Sequence, residues 1–430
     1  MTKNDIIKAA FRVWGREFYQ TTSLSELARE LGASKAALYR HFKDKQALLD
    51  AMNDSFLDEF TAFIRVGYEK ALASLDMRER CLIMIRIISE FYGKNVDAFI
   101  FGMFQILHTR QTENISAQMI ARGLDFGALS RQPENSGACF RDPASFPLTI
   151  QLIMASNNFW VARFHHCDRK ANHKSLEIPT DEAVKELIAG VEKNISSGLM
   201  LSAESVDGLD YSRLEKIADS IPFQGFIDLQ SEDSRIFQAI AEVVAEAGPW
   251  NASMEMVARR LDFAKSSLYA HFKNKQDMLG KFFITEAGYL VKYAGEYKKV
   301  SNIPEEQLYL ALISIAAYLR SRREILFALN WLHTRLPEIG PKLVSEKRRV
   351  LPGIYRIITD IDLPVFKTET GDKKDNIARW IFFLIMSSLM RHPENGLAPE
   401  LSNGSQYIDL NQKLRMLYRF IGLGLEGFIL

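Results

Sequence analysis

Apolar residues recur at three- and four-residue intervals along most of this 430-residue chain, the spacing that turns one face of a helix inward. Ile6, Ile7, Ala10, Phe11, Trp14 and Phe18 predict an amphipathic helix over residues 4–18. A shorter helix follows with Leu24, Leu27, Ala28 and Leu31 inward, and Ser23 with Glu26 forms a capping-box signature at its start. Gly32 suits a left-handed turn residue. Ser34 then caps a short helix with Leu38 inward, and Asp44 is placed to cap a long one carrying Leu48, Leu49, Met52, Phe56, Phe60 and Phe63. Helical spacing continues within 78–125 (Leu82, Ile85, Ile88, Phe91, Tyr92, then Phe99, Phe104, Leu107) and over 148–164 and 181–201. Pro133, Pro143 and Pro147 mark 131–147 as a loop. Gly208, Pro222 and Gly225 interrupt 202–231, which reads as a connector with room for a short helix over Tyr211–Ala218. Asp233 opens a new amphipathic helix with Ile236, Phe237, Ile240 and Val244. Hairpin signals are absent and β-branched runs are short, so the fold class is all-α.

The opening pattern returns 230 positions later. Between residues 6 and 49 the two copies align without a gap: Ile6 with Ile236, Ala9 with Ala239, Val13 with Val243, Ser23 with Ser253, Ala28 with Ala258, Arg29 with Arg259 and Leu31 with Leu261. The densest shared run is K-x-x-L-Y-x-H-F-K-x-K-Q, from Lys35 and from Lys265. Downstream, Leu107-His108-Thr109-Arg110 recurs at Leu332-His333-Thr334-Arg335 and Leu152-Ile153-Met154 at Leu384-Ile385-Met386. These offsets, 225 and 232, drift as small insertions and deletions would make them. The expected division is a first head at 1–49, its body at 50–202, a connector at 203–231, a second head at 232–279 and its body at 280–430.

LARELGASKAALYRHFKDKQALL and VARRLDFAKSSLYAHFKNKQDML both resemble the DNA-binding domain of the tetracycline-repressor (TetR) family, chiefly through the L-Y-x-H-F-x-x-K run. The resemblance implies two helical units in tandem, each a three-helix helix-turn-helix domain followed by a C-terminal helical bundle. Family members dimerise through the bundle, so two joined units imply a pseudo-dimer within one chain. In a helix-turn-helix the second helix lies in the major groove and its neighbours grip phosphates. By resemblance those helices are Ser34–His41 and Ala264–His271. Lys35 and Arg40 would donate to guanine edges or phosphates, with Lys265 the counterpart of Lys35, and Ala36 and Ala37 would meet thymine methyls. Ser266 and Ser267 replace those alanines with hydroxyls. Tyr39 and Tyr269 would reach phosphates, as would Lys45 and Lys275 beside a helix N-terminus. Ser23 and Ser253 open the preceding helices, and His41 and His271 are either phosphate contacts or packed helix ends. Leu38, Phe42, Leu268 and Phe272 read as core, and Lys43 and Lys273 as solvated charges. The second copy departs from the pattern: Met256 stands for Glu26, Asp262 for Gly32 and Ala264 for Ser34.

Composition changes this picture only in its electrostatics. A net charge of +1 supplies no overall basic field, so any DNA binding rests on local patches. Residues 34–46 carry Lys35, Arg40, Lys43 and Lys45 against Asp44, and 264–276 carry Lys265, Lys273 and Lys275 against no acid, +3 in each case. Over the whole heads, nine basic and six acidic residues in 1–50 give +3, whereas six and seven in 232–280 give −1. Cys81, Cys139 and Cys167, odd in number and far apart, suit a reducing compartment better than a disulfide framework. The opening MTKNDIIKAAF lacks a signal-peptide core, and no apolar run approaches the ~20 residues of a membrane span. A cytoplasmic location without membrane contact is expected.

The bodies carry aromatics at helical spacing, a pattern of ordinary core that also suits a pocket: Phe99, Phe101, Phe104, Phe159, Trp160 and Phe164 in the first, Trp331, Trp380, Phe382 and Phe383 in the second. His165, His166, Cys167 and Asp168 with His173 match no familiar metal template and read as a surface helix end. No phosphate loop, nucleophile elbow or zinc-protease motif occurs, so no enzyme, catalytic residue, metal or cofactor is expected. The expected function is sequence-specific transcriptional regulation, as a repressor, through a double-stranded operator and a small-molecule effector. Unlike heads imply unlike half-sites, about 34–36 Å apart or a multiple of it. Two alternatives remain: only the first head binds DNA and the whole chain homodimerises, or the fold serves a small-molecule or protein-interaction role without DNA.

Overall fold

The computed structural model of the chain describes residues 2–16, 23–108, 112–131, 140–142, 145–171, 179–221, 232–334, 352–369, 371–390 and 409–429. Their secondary structure is helical, and extended backbone pairs only in an isolated antiparallel bridge between Phe140 and Ile429. The chain divides into two compact units. The first ends at Ser196 and takes in Phe428 and Ile429; the second comprises Ser197 to Met390 and Asp409 to Gly427.

The first unit contains α1 (Lys3–Arg16), α2 (Leu24–Glu30), α3 (Lys35–Tyr39), α4 (Lys45–Ala73), α5 (Met77–Lys94), α6 (Val96–His108), α7 (Thr112–Ala121), a 3₁₀ turn (Phe126–Ser130), α8 (Phe146–Ala171) and α9 (Asp181–Ser197). Residues 17 and 18, expected to extend α1, lie outside the described residues. Of the stripe predicted from spacing, Ile6 and Ala10 are fully enclosed, together with Ala9, where α1 packs on α2, α4 and α6, while Ile7 and Phe11 are half-buried and the side chains of Trp14 and Phe18 lie outside the described set. Helix α4 is continuous from head to body. Its first turn is capped by Asp44 Oδ1, which accepts the Ala47 amide at 2.7 Å. Along α4, Phe56 stacks on Phe60 at 5.8 Å and meets Phe101 at 5.6 Å, while Phe60 meets Phe91 edge-on at 5.2 Å. Each such ring contributes about 1.5–3 kcal/mol through burial. Gly67 allows α4 and α5 to approach closely, since a Cβ there would lie 2.9 Å from Ile87 Cγ2. Arg80 ties this corner to the 3₁₀ turn: its guanidinium donates to the carbonyls of Leu72, Ser74, Leu129 and Arg131 at 2.8–3.3 Å.

The second unit contains α10 (Ala203–Asp207), α11 (Tyr211–Ser220), α12 (Glu232–Asn251), α13 (Met254–Leu261), α14 (Lys265–His271), α15 (Lys275–Lys298), α16 (Pro304–Ser321), α17 (Arg323–Thr334), α18 (352–359), α19 (Pro364–Thr368), α20 (Asp372–Met390) and α21 (Leu410–Leu423). Helix α16 is the hub, with Leu308 to Ile313 all buried, and α11, α15, α17, α20 and α21 pack around it. A helix apolar on every side belongs in the middle of a bundle. Part of the stretch expected as a connector is integral to this unit. Leu214 and Ala218 of α11 are buried, and Glu215 accepts from Tyr309 Oη at 2.7 Å and from Arg415 at 2.5 and 2.7 Å. Glycines suggested an open link, but the polar spacing of α11 hid a buried face; 222–231 lies outside the described residues.

Where the first unit has Phe56, the register of the repeat places Glu286, buried in α15. Its carboxylate accepts from Arg322 at 2.5 Å and from Tyr318 Oη at 2.6 Å. Burial outweighs the attraction of Arg322 and holds the Glu286 carboxyl above its ordinary range. Removing one member of such a pair leaves the other stranded, whereas replacing both is far milder. Arg322→Met is therefore expected to cost about 3–5 kcal/mol in the second unit's urea unfolding, and the double variant Glu286→Gln/Arg322→Met should recover most of it.

Candidate nucleic-acid interface

Each head is built by the same burial pattern. Leu24, Leu27, Leu38 and Phe42 are enclosed in the first, and Met254, Val257, Leu268 and Phe272 in the second. The short helices α3 and α14 pin their inward faces with Leu38 and Leu268, leaving Lys35, Ala36, Tyr39 and Arg40 exposed in one and Lys265, Ser266, Ser267, Tyr269 and Ala270 in the other. Ala37 is half-buried, unlike its counterpart Ser267. Tyr39 is 45% and Tyr269 50% exposed, large rings held out at equivalent positions. His41 and His271 are half-buried at the helix ends. Lys45 and Lys275 open α4 and α15, and partial burial pushes both ammonium groups to lower pKa. From Ser34 or Ala264 to Lys45 or Lys275, the expected site residues of each head are thus exposed or half-buried and none is enclosed in the core. The capping residues Ser23 and Ser253 lie one helix earlier.

The local bonds explain why these helices start where they do. In the first head the Ser23 hydroxyl accepts the Glu26 amide at 3.2 Å, and the Ser23 amide donates to Glu26 Oε2 at 2.5 Å. That backbone bond is the main cause of Glu26's lowered pKa. Gly32 takes φ +60°, and Ser34 Oγ accepts the Ala37 amide at 3.2 Å. In the second head Ser253 still accepts the Met256 amide at 3.2 Å, but Met256 returns no bond. Asp262 adopts φ 56° and ψ 39° in place of the glycine, which a short polar side chain tolerates. Ala264 makes no side-chain cap. Asn274 Oδ1 keeps the Asp44 role, accepting the Asp277 amide at 3.0 Å.

The electrostatics of the two heads diverge. In the first, Lys35 lies 5.7 Å from the centre of its own head's Tyr39 ring, and Lys35, Arg40 and Lys43 have no carboxylate partner among the described residues. In the second, acids of the same head answer many of the cations. Arg260 bridges Glu242 at 2.9 Å and Glu246 at 2.5 Å, Glu255 lies 3.5 Å from Arg259 and 4.0 Å from Lys265, and His271 is 3.9 Å from Glu232. Charge counting registered the excess of acid but not its placement beside the reading helix.

Other expected features resolve differently. His165 is not at a surface: it is 3% exposed, its Nε2 lies 2.8 Å from the Tyr92 carbonyl oxygen, and Phe99 and Phe164 flank it. An adjacent pair of histidines on a helix faces two ways, and this one faces the core. The side chains of His166, Cys167 and Asp168, and residue His173, lie outside the described set. Among the described residues no group of three or more His, Cys, Asp or Glu is arranged for a metal ion. No described helix is long and apolar enough to cross a membrane. Phe99, Phe101 and Phe159 are core, as are Trp380, Phe382 and Phe383; Phe164 and Trp160 are half-exposed, and the side chains of Phe104 and Trp331 are outside the described set. A cavity of about 60 Å³ does occur in the first body, between α5, the 3₁₀ turn and α8, and none of those aromatics lines it.

Two heads of this geometry on one all-α chain define a tandem helix-turn-helix protein. A family model described as bacterial regulatory proteins, tetR family, matches residues 6–52 and again 236–281. The two heads belong to that family, and the chain carries them in tandem. A 47-residue stretch is 45% identical to the uncharacterized HTH-type transcriptional regulator YerO of Bacillus subtilis (strain 168), covering 11% of this chain and 16% of that protein. Among solved structures, the fatty acid degradation regulator FadR from Bacillus halodurans is 17% identical with a TM-score of 0.35, over 44% of this chain and 94% of that one. FadR from Bacillus subtilis, in complex with stearoyl-CoA, is 20% identical with a TM-score of 0.35, over 45% and 99%. The TetR family regulator PfmR from Thermus thermophilus is 20% identical with a TM-score of 0.32, over 46% and 98%. At that level of likeness no ligand or operator is transferred.

Capping differences between the heads are directly measurable. Ser34→Ala should destabilise α3 by about 1 kcal/mol, and Ala264→Ser should stabilise α14 by about 0.5–1 kcal/mol. Hydrogen exchange at amides 36–38 and 266–268 reads both, with protection falling in the first variant and rising in the second.

Proposed function

We propose that this chain is a sequence-specific DNA-binding transcriptional regulator with two non-identical reading heads, acting as a repressor whose operator affinity an effector modulates. The observation that carries the reading is the repeated exposure of one tyrosine and one lysine on a short helix whose opposite face is core: Tyr39 with Lys35, and Tyr269 with Lys265. A phenol held out beside a lysine at equivalent positions of both copies is a pair of hydrogen-bond donors suited to backbone phosphates. Lys35 and Arg40 would read guanine edges or phosphates, Ala36 and Ala37 thymine methyls, and Ser266 and Ser267 a different base pattern. Tyr39, Tyr269, Lys45 and Lys275 would hold phosphates and set register. The effector would favour a state in which the heads no longer match their half-sites. Tethering makes association of the two units unimolecular, which supports a pseudo-dimer on one chain.

A second reading has its own support. The acids beside Arg259, Arg260, Lys265 and His271 weaken the attraction of the second head for a polyanion. On that reading only the first head binds, and two whole chains pair to fill a palindrome.

An operator selected from a random DNA pool separates the readings in a gel shift. With two working heads, Lys35→Ala/Tyr39→Ala and Lys265→Ala/Tyr269→Ala each weaken binding. Each lost phosphate contact then flattens the slope of log K against log salt by about 0.9. If only the first pair matters, the chain is single-headed; if affinity lacks salt dependence altogether, the DNA reading itself fails.

A further inference from the structure

The cavity of the first body is walled almost wholly by carbon, with Met77, Met84 and Met154 among its lining side chains. Three residues bring heteroatoms other than thioether sulfur to it: Arg80, Cys81 and Asn157. Arg80 is committed elsewhere, because four carbonyl oxygens hold its guanidinium. Cys81 is neutral, since burial pushes its thiol up to about 12. Asn157 is different. It is 1% exposed, and its Oδ1 accepts from Ser89 Oγ at 2.5 Å. Its Nδ2 finds no acceptor among the described residues. Interiors avoid orphan donors of this kind. A water is a poor remedy, because it needs two to four polar partners and this wall offers one free amide donor beside a weakly polar thiol.

We propose that this cavity binds a compact, neutral, mostly apolar molecule whose one acceptor oxygen takes the Asn157 amide proton. Its role as the effector rests on the regulator reading above; its existence as a site does not. An anion would lose its hydration here without gaining a free cation. At about 60 Å³ the cavity is smaller than the ~150 Å³ that admits benzene, so a ring-sized guest needs the methionines to move. Their unbranched, flexible side chains suit that adjustment. The ligand class is therefore a small ketone or ester, not a carboxylate and not a long chain on a charged carrier.

The test uses the full chain with ¹³C-methyl methionine, titrated separately with cyclohexanone, methylcyclohexane and cyclohexanecarboxylate. Cyclohexanone is expected to shift the methyl signals of Met77, Met84 and Met154 and to bind more tightly than the hydrocarbon. Asn157→Leu should weaken the ketone roughly tenfold, the worth of one hydrogen bond to a buried donor, and leave the hydrocarbon unchanged. Ile153→Phe, which fills the cavity, should remove both responses while the remaining methionine signals report an intact fold. Tighter binding of the carboxylate, an unaltered ketone preference in Asn157→Leu, or no shift at the three methionines overturns the proposal. Operator retention measured on the same samples separates the two ideas. Ketone bound with retention unchanged supports the site and removes its regulatory role, whereas no ketone bound with retention intact overturns the site alone.

Discussion

A single unbroken helix carries each head into its body, and the geometry of everything else hangs on it. Helix α4 begins at the Asp44 cap beside Lys45 and runs to Ala73 under α5; α15 does the same from Asn274 to Lys298 under α16. A backbone hydrogen-bond ladder transmits orientation stiffly, so a tilt at the body end is a tilt at the head end. The two units stabilise this strut by different means. In the first, Phe56, Phe60, Phe91 and Phe101 interlock. In the second, Glu286 binds Tyr318 and Arg322. Aromatic edges and faces set the geometry in the first, whereas in the second a buried, hydrogen-bonded ion pair sets it and leaves a stranded charge if it is broken.

The heads show how far a fold can be kept while its electrostatics change. Leu38 and Leu268, Phe42 and Phe272, Asp44 and Asn274 do the same structural work in both. The surface does not follow. Lys35, Arg40 and Lys43 of the first head, without carboxylate partners among the described residues, contrast with the paired Lys265, Arg259 and Arg260 of the second. Loss of the Ser34 and Glu26 caps and of Gly32 is absorbed, because the packing of α12, α13 and α14 holds what the caps no longer do.

Much of this was legible in the residues alone. The capping box, the left-handed turn and the buried stripes of the heads are local, set by side chains three or four positions apart, and their spacing names them. The repeat doubled that evidence. What spacing could not show is tertiary: that α11 turns Leu214 inward, that His165 faces Tyr92, or that the first body's cavity is lined by Met77, Met84, Met154, Phe126 and Phe146 and not by Phe99, Phe101 or Phe159. An orphan amide such as Asn157 Nδ2 has no sequence signature, because it is defined by what fails to surround it. The acids at Glu242, Glu246 and Glu255 were countable, but the pairing of Glu242 and Glu246 with Arg260 required the packing of α12 on α13, and that of Glu255 with Lys265 the turn between α13 and α14.

The left-handed Asp262 and the uncapped Ala264 have a genetic consequence. In a regulator assembled from identical subunits, a substitution in the reading helix alters both halves of the assembly at once. Here a substitution in α14 leaves α3 of the same chain as it was. The two short helices can therefore be varied one at a time within a single chain.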